Sequence, residues 1–236
     1  MEQPKIFLIS MDTELGAERR SRLNYDYEWF KASESGKALK FIKDKMIHYW
    51  SSKEKNRNGK EGCFDSYYRL LTKIYNEKID DLFILEDDCF IKNDELLEFC
   101  KNKPKEICYL NGDIKELKKW KNYNDFSKQT GVNNIEEDFK ILGTWGIYIP
   151  NHQLVKKIID TLDNLKRYRA IDITFCNKRI ITKYYYPSIT LLNDFGVSST
   201  ARLPCNSYDN YVKVRKKKNL ITIYNGFNTS SLFRFR

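Results

Sequence analysis

The chain has 236 residues, of which 41% are hydrophobic and 14% aromatic, and 42 Lys and Arg against 32 Asp and Glu give it a formal net charge of +10. This length suffices for a continuous core, and the aromatic content argues against intrinsic disorder. No apolar run approaches the roughly 20 residues that span a bilayer. The amino terminus also lacks a basic segment followed by an apolar one. We therefore expect a cytoplasmic protein without a transmembrane segment, located in the host cytoplasm if the chain is viral.

The positive net charge does not identify the class of molecule that the protein binds. A basic surface attracts nucleic acid, anionic membranes or phosphorylated small molecules through the same Coulombic attraction. The basic cluster at residues 213–218 is either a solvated face or a surface for diphosphate, an acidic acceptor or lipid headgroups. The six cysteines form no C-x-x-C pair, which favours reduced thiols over a zinc site or disulfides.

Apolar periodicity predicts alternating strands and helices along the chain. In chain order we predict strands at 5–10 and 25–30, a helix at 38–50, a loop at 51–61, a helix at 65–75, a strand at 81–85, a helix at 94–101, a strand at 107–110, an irregular segment at 115–138, a strand at 143–150 and a helix at 152–165. Asp65 or Ser66 is the expected N-cap of the helix at 65–75. This alternation indicates an α/β domain with a mostly parallel central sheet flanked by helices.

Three consecutive carboxylates, Glu86, Asp87 and Asp88, follow the strand at 81–85. The carboxyl ends of strands are where open α/β sheets bind ligands. Adjacent like charges repel unless a cation or a hydrogen-bond donor neutralises them, and a divalent cation does so with oxygen ligands. The two-residue period of a strand places Glu86 and Asp88 on one face and Asp87 on the other. The alternative is a solvated acidic loop that caps the next element.

The residues around these carboxylates resemble glycosyltransferase family 25, which includes bacterial lipooligosaccharide galactosyltransferases, procollagen galactosyltransferases and enzymes of large DNA viruses. The resemblance rests on five motifs in the same order and covers roughly residues 5–200. They are Ile6-Phe7-Leu8-Ile9-Ser10-Met11-Asp12 with Glu18-Arg19-Arg20, Gly62-Cys63 with Leu82-Phe83-Ile84-Leu85-Glu86-Asp87-Asp88, Gly143 to Ile149, Ala170-Ile171-Asp172, and Pro187 to Ser199. The chain departs from the family at Tyr67, where the pattern has His, and at Ser10, where it usually has Asn.

The resemblance implies a single GT-A (Rossmann-like) domain at residues 1–205, followed by a basic C-terminal extension at 206–236 packed on the same domain. It also implies a metal-dependent, inverting transferase that moves a sugar from a nucleotide sugar, a UDP-hexose, to a hydroxyl of a glycan or glycoprotein. The resemblance therefore implies that nucleic acid is not a partner of this protein.

The family pattern assigns site residues by position. Asp88 would bind Mn²⁺ or Mg²⁺, and Glu86 or Asp87 would contact the ribose or the metal and its water shell. The expected donor contacts from the amino-terminal motif are Ser10, Asp12, Arg19 and Arg20, although an exposed helix face is the alternative for the two arginines.

An inverting transfer also requires a general base for the acceptor hydroxyl. Asp172 is the first candidate, with a helix N-cap as its alternative. Asp113 is the second candidate, with a role in an Asn-Gly turn as its alternative.

Two other classes remain as alternatives. A non-enzymatic basic module that binds nucleic acid or another polyanion would suit the charge, but the sequence has no RNP-like, OB-like or zinc-finger arrangement. A phosphoryl-transfer enzyme or phosphatase could also use acidic residues at a strand end. The sequence has neither a Gly-rich phosphate-binding loop nor an Asp-x-Asp-x-Thr pattern.

Overall fold

The computed structural model describes residues 3–34, 36–47, 54–116, 130–137, 139–186, 188–192 and 221–222. The strands in these ranges are β1 (Lys5–Ser10), β2 (Glu28–Lys31), β3 (Leu82–Glu86), β4 (Cys89–Ile91), β5 (Cys108–Tyr109), β6 (Asp113–Glu116), β7 (Gly131–Asn134), β8 (Phe139–Leu142), β9 (Ile147–Ile149), β10 (Lys183–Tyr186), β11 (Thr190–Leu192) and β12 (Ile221–Thr222). The helices are α1 (Glu14–Ser21), α2 (Lys40–Lys45), α3 (Glu54–Asn76), α4 (Asn93–Lys101), α5 (His152–Asn164) and α6 (Ile171–Asn177).

A central sheet of seven strands has the order β2-β1-β3-β9-β5-β10-β7. The strands β2, β1, β3, β5 and β10 run in one direction, whereas β9 and β7 run in the other. Two small antiparallel sheets, β11-β4 and β12-β6-β8, complete the described part. The predicted α/β fold with a mostly parallel, Rossmann-like central sheet is therefore confirmed.

Helices cover both faces of the central sheet because its buried strands are apolar on both faces. In β1, Phe7 and Ile9 belong to the core cluster formed with α3 and α5, whereas Ile6 and Leu8 belong to the cluster formed with α4. The same alternation holds in β3. The strand period of two thus builds a layer of helices on each side of the sheet.

Several predicted elements agree closely with the structure. They are the strands at 5–10 and 81–85 and the helices at 94–101 and 152–165, which correspond to β1, β3, α4 and α5. The strand predicted at 25–30 is shifted to Glu28–Lys31, and the helix predicted at 38–50 is α2, Lys40–Lys45, with residues 48–50 outside the described ranges.

The predicted loop at 51–61 is wrong, because α3 begins at Glu54 and continues to Asn76. Asp65 and Ser66 consequently lie inside the helix, and neither is its N-cap. Both are buried, and they hold the segment before α2: Asp65 Oδ1 accepts the Leu39 N–H at 2.9 Å, and Ser66 Oγ accepts the Ser33 N–H at 2.8 Å. Capping-type side chains are accommodated inside the helix here because tertiary contacts satisfy them.

The segment predicted as irregular at 115–138 contains the end of β6 and the whole of β7. The strand predicted at 143–150 is shorter, Ile147–Ile149, and it is preceded by β8. Of the predicted C-terminal extension, the structure describes Ile221–Thr222, which pairs with β6. The division at residue 205 stays a prediction.

The cysteines of the described part, Cys63, Cys89, Cys100, Cys108 and Cys176, are all free thiols, as expected. Within the described residues, no helix is both long enough and apolar enough to cross a membrane.

Candidate active site

The carboxyl ends of β1 and β3 meet at one edge of the sheet. These strands are parallel, with Ile9 opposite Glu86, so Ser10 lies beside the turn Asp87-Asp88 that follows β3. Because β9 is antiparallel to β3, the segment that leads into β9 reaches the same edge. This segment includes Thr144. The predicted ligand-binding edge of the sheet therefore gathers side chains from three parts of the chain.

Asp87 is neutralised within the fold. Its Oδ2 accepts a hydrogen bond from Ser10 Oγ at 2.7 Å, and its Oδ1 forms an ion pair with Arg19 Nη1 at 3.0 Å. All three residues are buried. Ser10, Arg19 and Asp87, which the family pattern offers as donor contacts, thus connect α1 to the turn after β3.

Arg20 lies at the rim of the same edge. Its Nη1 donates to Ser10 Oγ at 2.8 Å and to the Met11 carbonyl at 2.7 Å, and its guanidinium stacks on the Trp29 ring at 3.9 Å. The Trp29 indole N–H donates to the Ser10 carbonyl at 3.1 Å, while 40% of the residue remains exposed. A fixed cation on an accessible aromatic ring can bind a phosphate or a nucleobase.

Glu86 lies in a recess of the edge, where protein surrounds its half-buried side chain. Its Oε1 accepts a hydrogen bond from Thr144 Oγ1 at 2.6 Å, and the Tyr67 hydroxyl, whose single proton also faces the Thr144 carbonyl at 2.8 Å, lies 3.1 Å from it. Desolvation, and next the negative charge of Asp88, raise the pKa of Glu86 to about 8. Ionisation of this carboxyl group is therefore less favourable here than in water.

Asp88 occupies the second position of the turn after β3 and is also half-buried. Desolvation, and next the charge of Asp87, raise its pKa to about 6, although Arg19 acts in the opposite direction. The charge of Asp88 raises the pKa of Glu86, and the shared face predicted for these two residues stays a prediction. Both are carboxylates whose charge no ion pair neutralises among the described contacts.

Asp172 lies in the first turn of α6, where Ala170 takes the N-cap position, so the N-cap alternative is wrong. Its Oδ1 accepts the Ile173 N–H at 2.7 Å and its Oδ2 accepts the Gly143 N–H at 3.2 Å. Burial raises the pKa of Asp172 despite these two hydrogen bonds. The Gly143 contact connects this carboxylate to the segment that carries Thr144.

Among the described contacts, none joins the remaining predicted residues, Asp12 and Asp113, to Glu86 or Asp88. Asp12 is exposed and forms an ion pair with Lys31 Nζ at 2.7 Å, which lowers the pKa of its carboxyl. Asp113 begins β6 and pairs with Leu142 of β8. Its role as a base stays a prediction.

No group of three or more His, Cys, Asp and Glu side chains is arranged to hold a metal ion within the described ranges. The donor set instead consists of the two carboxylates Glu86 and Asp88. This set fits a hard divalent cation that takes one or two carboxylates from the protein and its other ligands from phosphates and water.

Two residues of this site, Tyr67 and Thr144, have no functional role in the sequence-based prediction. A signal exists for each: Tyr67 stands where the family pattern has His, and Thr144 lies inside the Gly-Thr-Trp-Gly motif. Only the structure shows that both hydroxyls contact the same carboxyl group.

The fold and the site define an α/β domain with a carboxylate pair at the carboxyl edge of its sheet. The model of glycosyltransferase family 25 (LPS biosynthesis protein) matches residues 3–175 of the chain. The chain therefore belongs to this glycosyltransferase family, which confirms the family predicted from the motifs. No curated protein matches the chain with significant similarity.

Proposed function

We propose that this glycosyltransferase is a metal-dependent, inverting hexosyltransferase that uses a nucleotide sugar, with a UDP-hexose as the preferred donor. The observation that carries the proposal is the pair of half-buried carboxyls, Glu86 and Asp88, at the carboxyl edge of the sheet. Their raised pKa values reflect desolvation and repulsion, which a bound cation relieves.

The metal would be Mn²⁺ or Mg²⁺, held by Asp88 and by Glu86 through Oε2. Such a cation would supply positive charge to offset the charge that develops on a departing diphosphate. The protein's own contribution is to fix the turn that carries the carboxylates. The buried ion pair between Asp87 and Arg19 supports this role, because it connects the turn to α1.

The donor would lie against the rim formed by Arg20 and Trp29. The Arg20 guanidinium is held in place by two hydrogen bonds and the Trp29 ring, which suits it to contact a diphosphate or stack with a uracil ring. Asp12, which pairs with Lys31 at the same end of β1, is the proposed contact for the ribose. The overall charge of +10 favours the approach of an anionic donor.

Asp172 is the proposed general base for the acceptor hydroxyl, with Asp113 as the second candidate. Burial raises the pKa of Asp172, which makes this carboxylate a stronger base than an exposed aspartate. In an inverting transfer the acceptor hydroxyl approaches the anomeric carbon opposite the leaving diphosphate while Asp172 removes its proton. The proposed acceptor is a hydroxyl of a glycan or glycoprotein, and the proposed location is the cytoplasm.

The test is a thermal-shift and titration experiment with UDP-, GDP- and TDP-sugars, each with and without Mn²⁺. We expect a UDP-sugar to raise the melting temperature only with metal present, and Asp88→Asn to abolish this increase. Asp160→Asn is the matched control, because it removes an exposed carboxylate on α5 that pairs with Lys156. Release of UDP from the bound donor then tests the base: Asp172→Asn should bind the donor as the wild type does but release UDP more slowly.

Two results would contradict the proposal. One is stabilisation by a sugar nucleotide that is equal with and without metal and equal in Asp88→Asn. The other is no response to any sugar nucleotide together with tight, salt-dependent binding of nucleic acid, which would favour a basic binding module.

A further inference from the structure

A buried group of two hydroxyls surrounds one oxygen of Glu86. Thr144 Oγ1 donates to Glu86 Oε1 at 2.6 Å, and the Tyr67 hydroxyl lies 3.1 Å from the same oxygen. The Tyr67 hydroxyl also contacts the Thr144 carbonyl oxygen at 2.8 Å. The three residues thus form a closed ring of contacts. Within the described part of the chain, Glu86 Oε2 makes no hydrogen bond of its own.

Neither hydroxyl can contact a substrate directly. Tyr67 is 0% exposed and Thr144 is 3% exposed, so both lie behind the carboxyl group as seen from the solvent. The Tyr67 ring also packs edge-on against Phe175, with 6.3 Å between ring centres. Because this packing fixes the ring, the position of its hydroxyl is fixed as well.

The segment that carries Thr144 contacts both acidic parts of the site. Thr144 donates to Glu86, and the N–H of the preceding residue, Gly143, donates to Asp172 Oδ2 at 3.2 Å. Gly143 has a φ of +88°, and a β-carbon at this position would lie 2.8 Å from the Trp145 ring. This backbone conformation therefore favours glycine.

We propose that Tyr67 and Thr144 are positioning residues that engage Oε1 of Glu86 and leave only Oε2 for the metal or the donor. Hydrogen bonds to a ligating carboxylate fix its orientation, and losing them typically weakens binding or activity about 10- to 100-fold. The inference rests on the proposed function, because it assigns these residues a role in that same site. Tyr67 takes the place of the family's His and supplies a hydroxyl to this group.

The experiment measures binding of UDP, GDP and TDP with Mn²⁺ by calorimetry in the wild type and in Tyr67→Phe, Thr144→Val and Thr144→Ser. We expect binding of the accepted nucleotide to weaken roughly 10- to 100-fold in Tyr67→Phe and in Thr144→Val. Thr144→Ser keeps the hydroxyl and should restore binding close to that of the wild type. Tyr168→Phe is the control, since it removes a hydroxyl from another fully buried tyrosine, one that faces Lys45 at 3.5 Å.

A double-mutant cycle separates positioning from a general effect on the fold. If Tyr67 acts through Glu86, then Tyr67→Phe should cause little further loss of binding in a Glu86→Gln background. Additive losses, or equal losses in Tyr67→Phe and Tyr168→Phe, would overturn the positioning role and leave the proposed function intact. If the wild type binds none of the three nucleotides with Mn²⁺, the proposed function is wrong, and the positioning role is wrong with it.

Discussion

Replacing Glu86 with Gln should stabilise the protein without ligand, and more so as the pH rises. The pKa of Glu86 is about 8 in the folded protein, against an ordinary value of 4.5. A carboxyl group with a raised pKa contributes stability that is fully present below pH 4.5 and is lost as the pH rises through about 8. Gln does not ionise, so the stability of the variant does not fall with pH for this reason.

The size of the effect follows from the two pKa values. Each factor of ten in proton affinity corresponds to about 1.4 kcal/mol, so ionising Glu86 costs the folded state at most about 5 kcal/mol above pH 8. Gln also removes the repulsion that Glu86 exerts on Asp88. For a chain of this length each kcal/mol shifts the melting temperature by about 2 to 4 °C, so the upper limit of about 5 kcal/mol corresponds to an increase of at most about 10 to 20 °C at pH 9, with little change at pH 5.

The assay is thermal unfolding followed by circular dichroism between pH 5 and pH 9, without metal. The quantity to compare is the melting temperature of Glu86→Gln minus that of the wild type at each pH. Asp160→Asn, which removes an exposed carboxylate, should show no such increase with pH. A difference for Glu86→Gln that is constant across this range, or negative at pH 9, would refute the reasoning.

The remaining predictions concern the residues that support the site. Arg19→Met should destabilise the protein by about 3 to 5 kcal/mol in urea unfolding, because it leaves a buried carboxylate without its ion-pair partner. Asp65→Asn should cost about 2 to 3 kcal/mol through weaker hydrogen bonds from a backbone N–H and a guanidinium, with nucleotide binding unchanged. Gly143→Ala should cost more than Gly131→Ala by about 1 to 3 kcal/mol, because both positions have positive φ but only Gly143 has an aromatic ring in the way.

Each of these predictions has an outcome that would contradict it. A loss below about 1 kcal/mol in Arg19→Met would mean that the ion pair with Asp87 does not hold the turn. Weaker nucleotide binding in Asp65→Asn at full stability would place this residue in the site. Equal losses at the two glycines would show that Trp145 moves aside without cost.

The sequence predicts the central elements of the fold because their signals are local. A continuous apolar run in β1 and in β3 is the pattern of strands buried on both faces, and the acidic residues after β3 follow directly from that assignment. Period-two alternation also predicts that Asp87 points away from Glu86 and Asp88. In the structure Asp87 and Asp88 form a turn in which Asp87 pairs with Arg19 from α1, so the strand period does not decide how these two side chains point.

The features that the sequence does not predict depend on contacts between residues far apart in the chain. Asp65 and Ser66 look like helix N-caps, yet they lie inside α3 and are satisfied by residues about 30 positions away. Tyr67 and Thr144 are 77 residues apart, so no spacing rule brings their hydroxyls to one carboxyl group. The strands β7 and β8 are short and lie next to polar segments, which hides their periodicity.

The three consecutive carboxylates differ in what the fold does with each of them. Asp87 pairs with the buried guanidinium of Arg19 and accepts a hydrogen bond from Ser10, and these are structural contacts. Among the described contacts Glu86 and Asp88 form no ion pair, and desolvation and repulsion raise the pKa of both, although Arg19 acts in the opposite direction on Asp88. A solvated acidic loop would show neither the buried ion pair nor the raised pKa values. A fold that pairs one carboxylate with a buried arginine and gives its two neighbours no ion pair among the described residues keeps a cost that binding can remove, and such unrelieved charge is typical of functional sites.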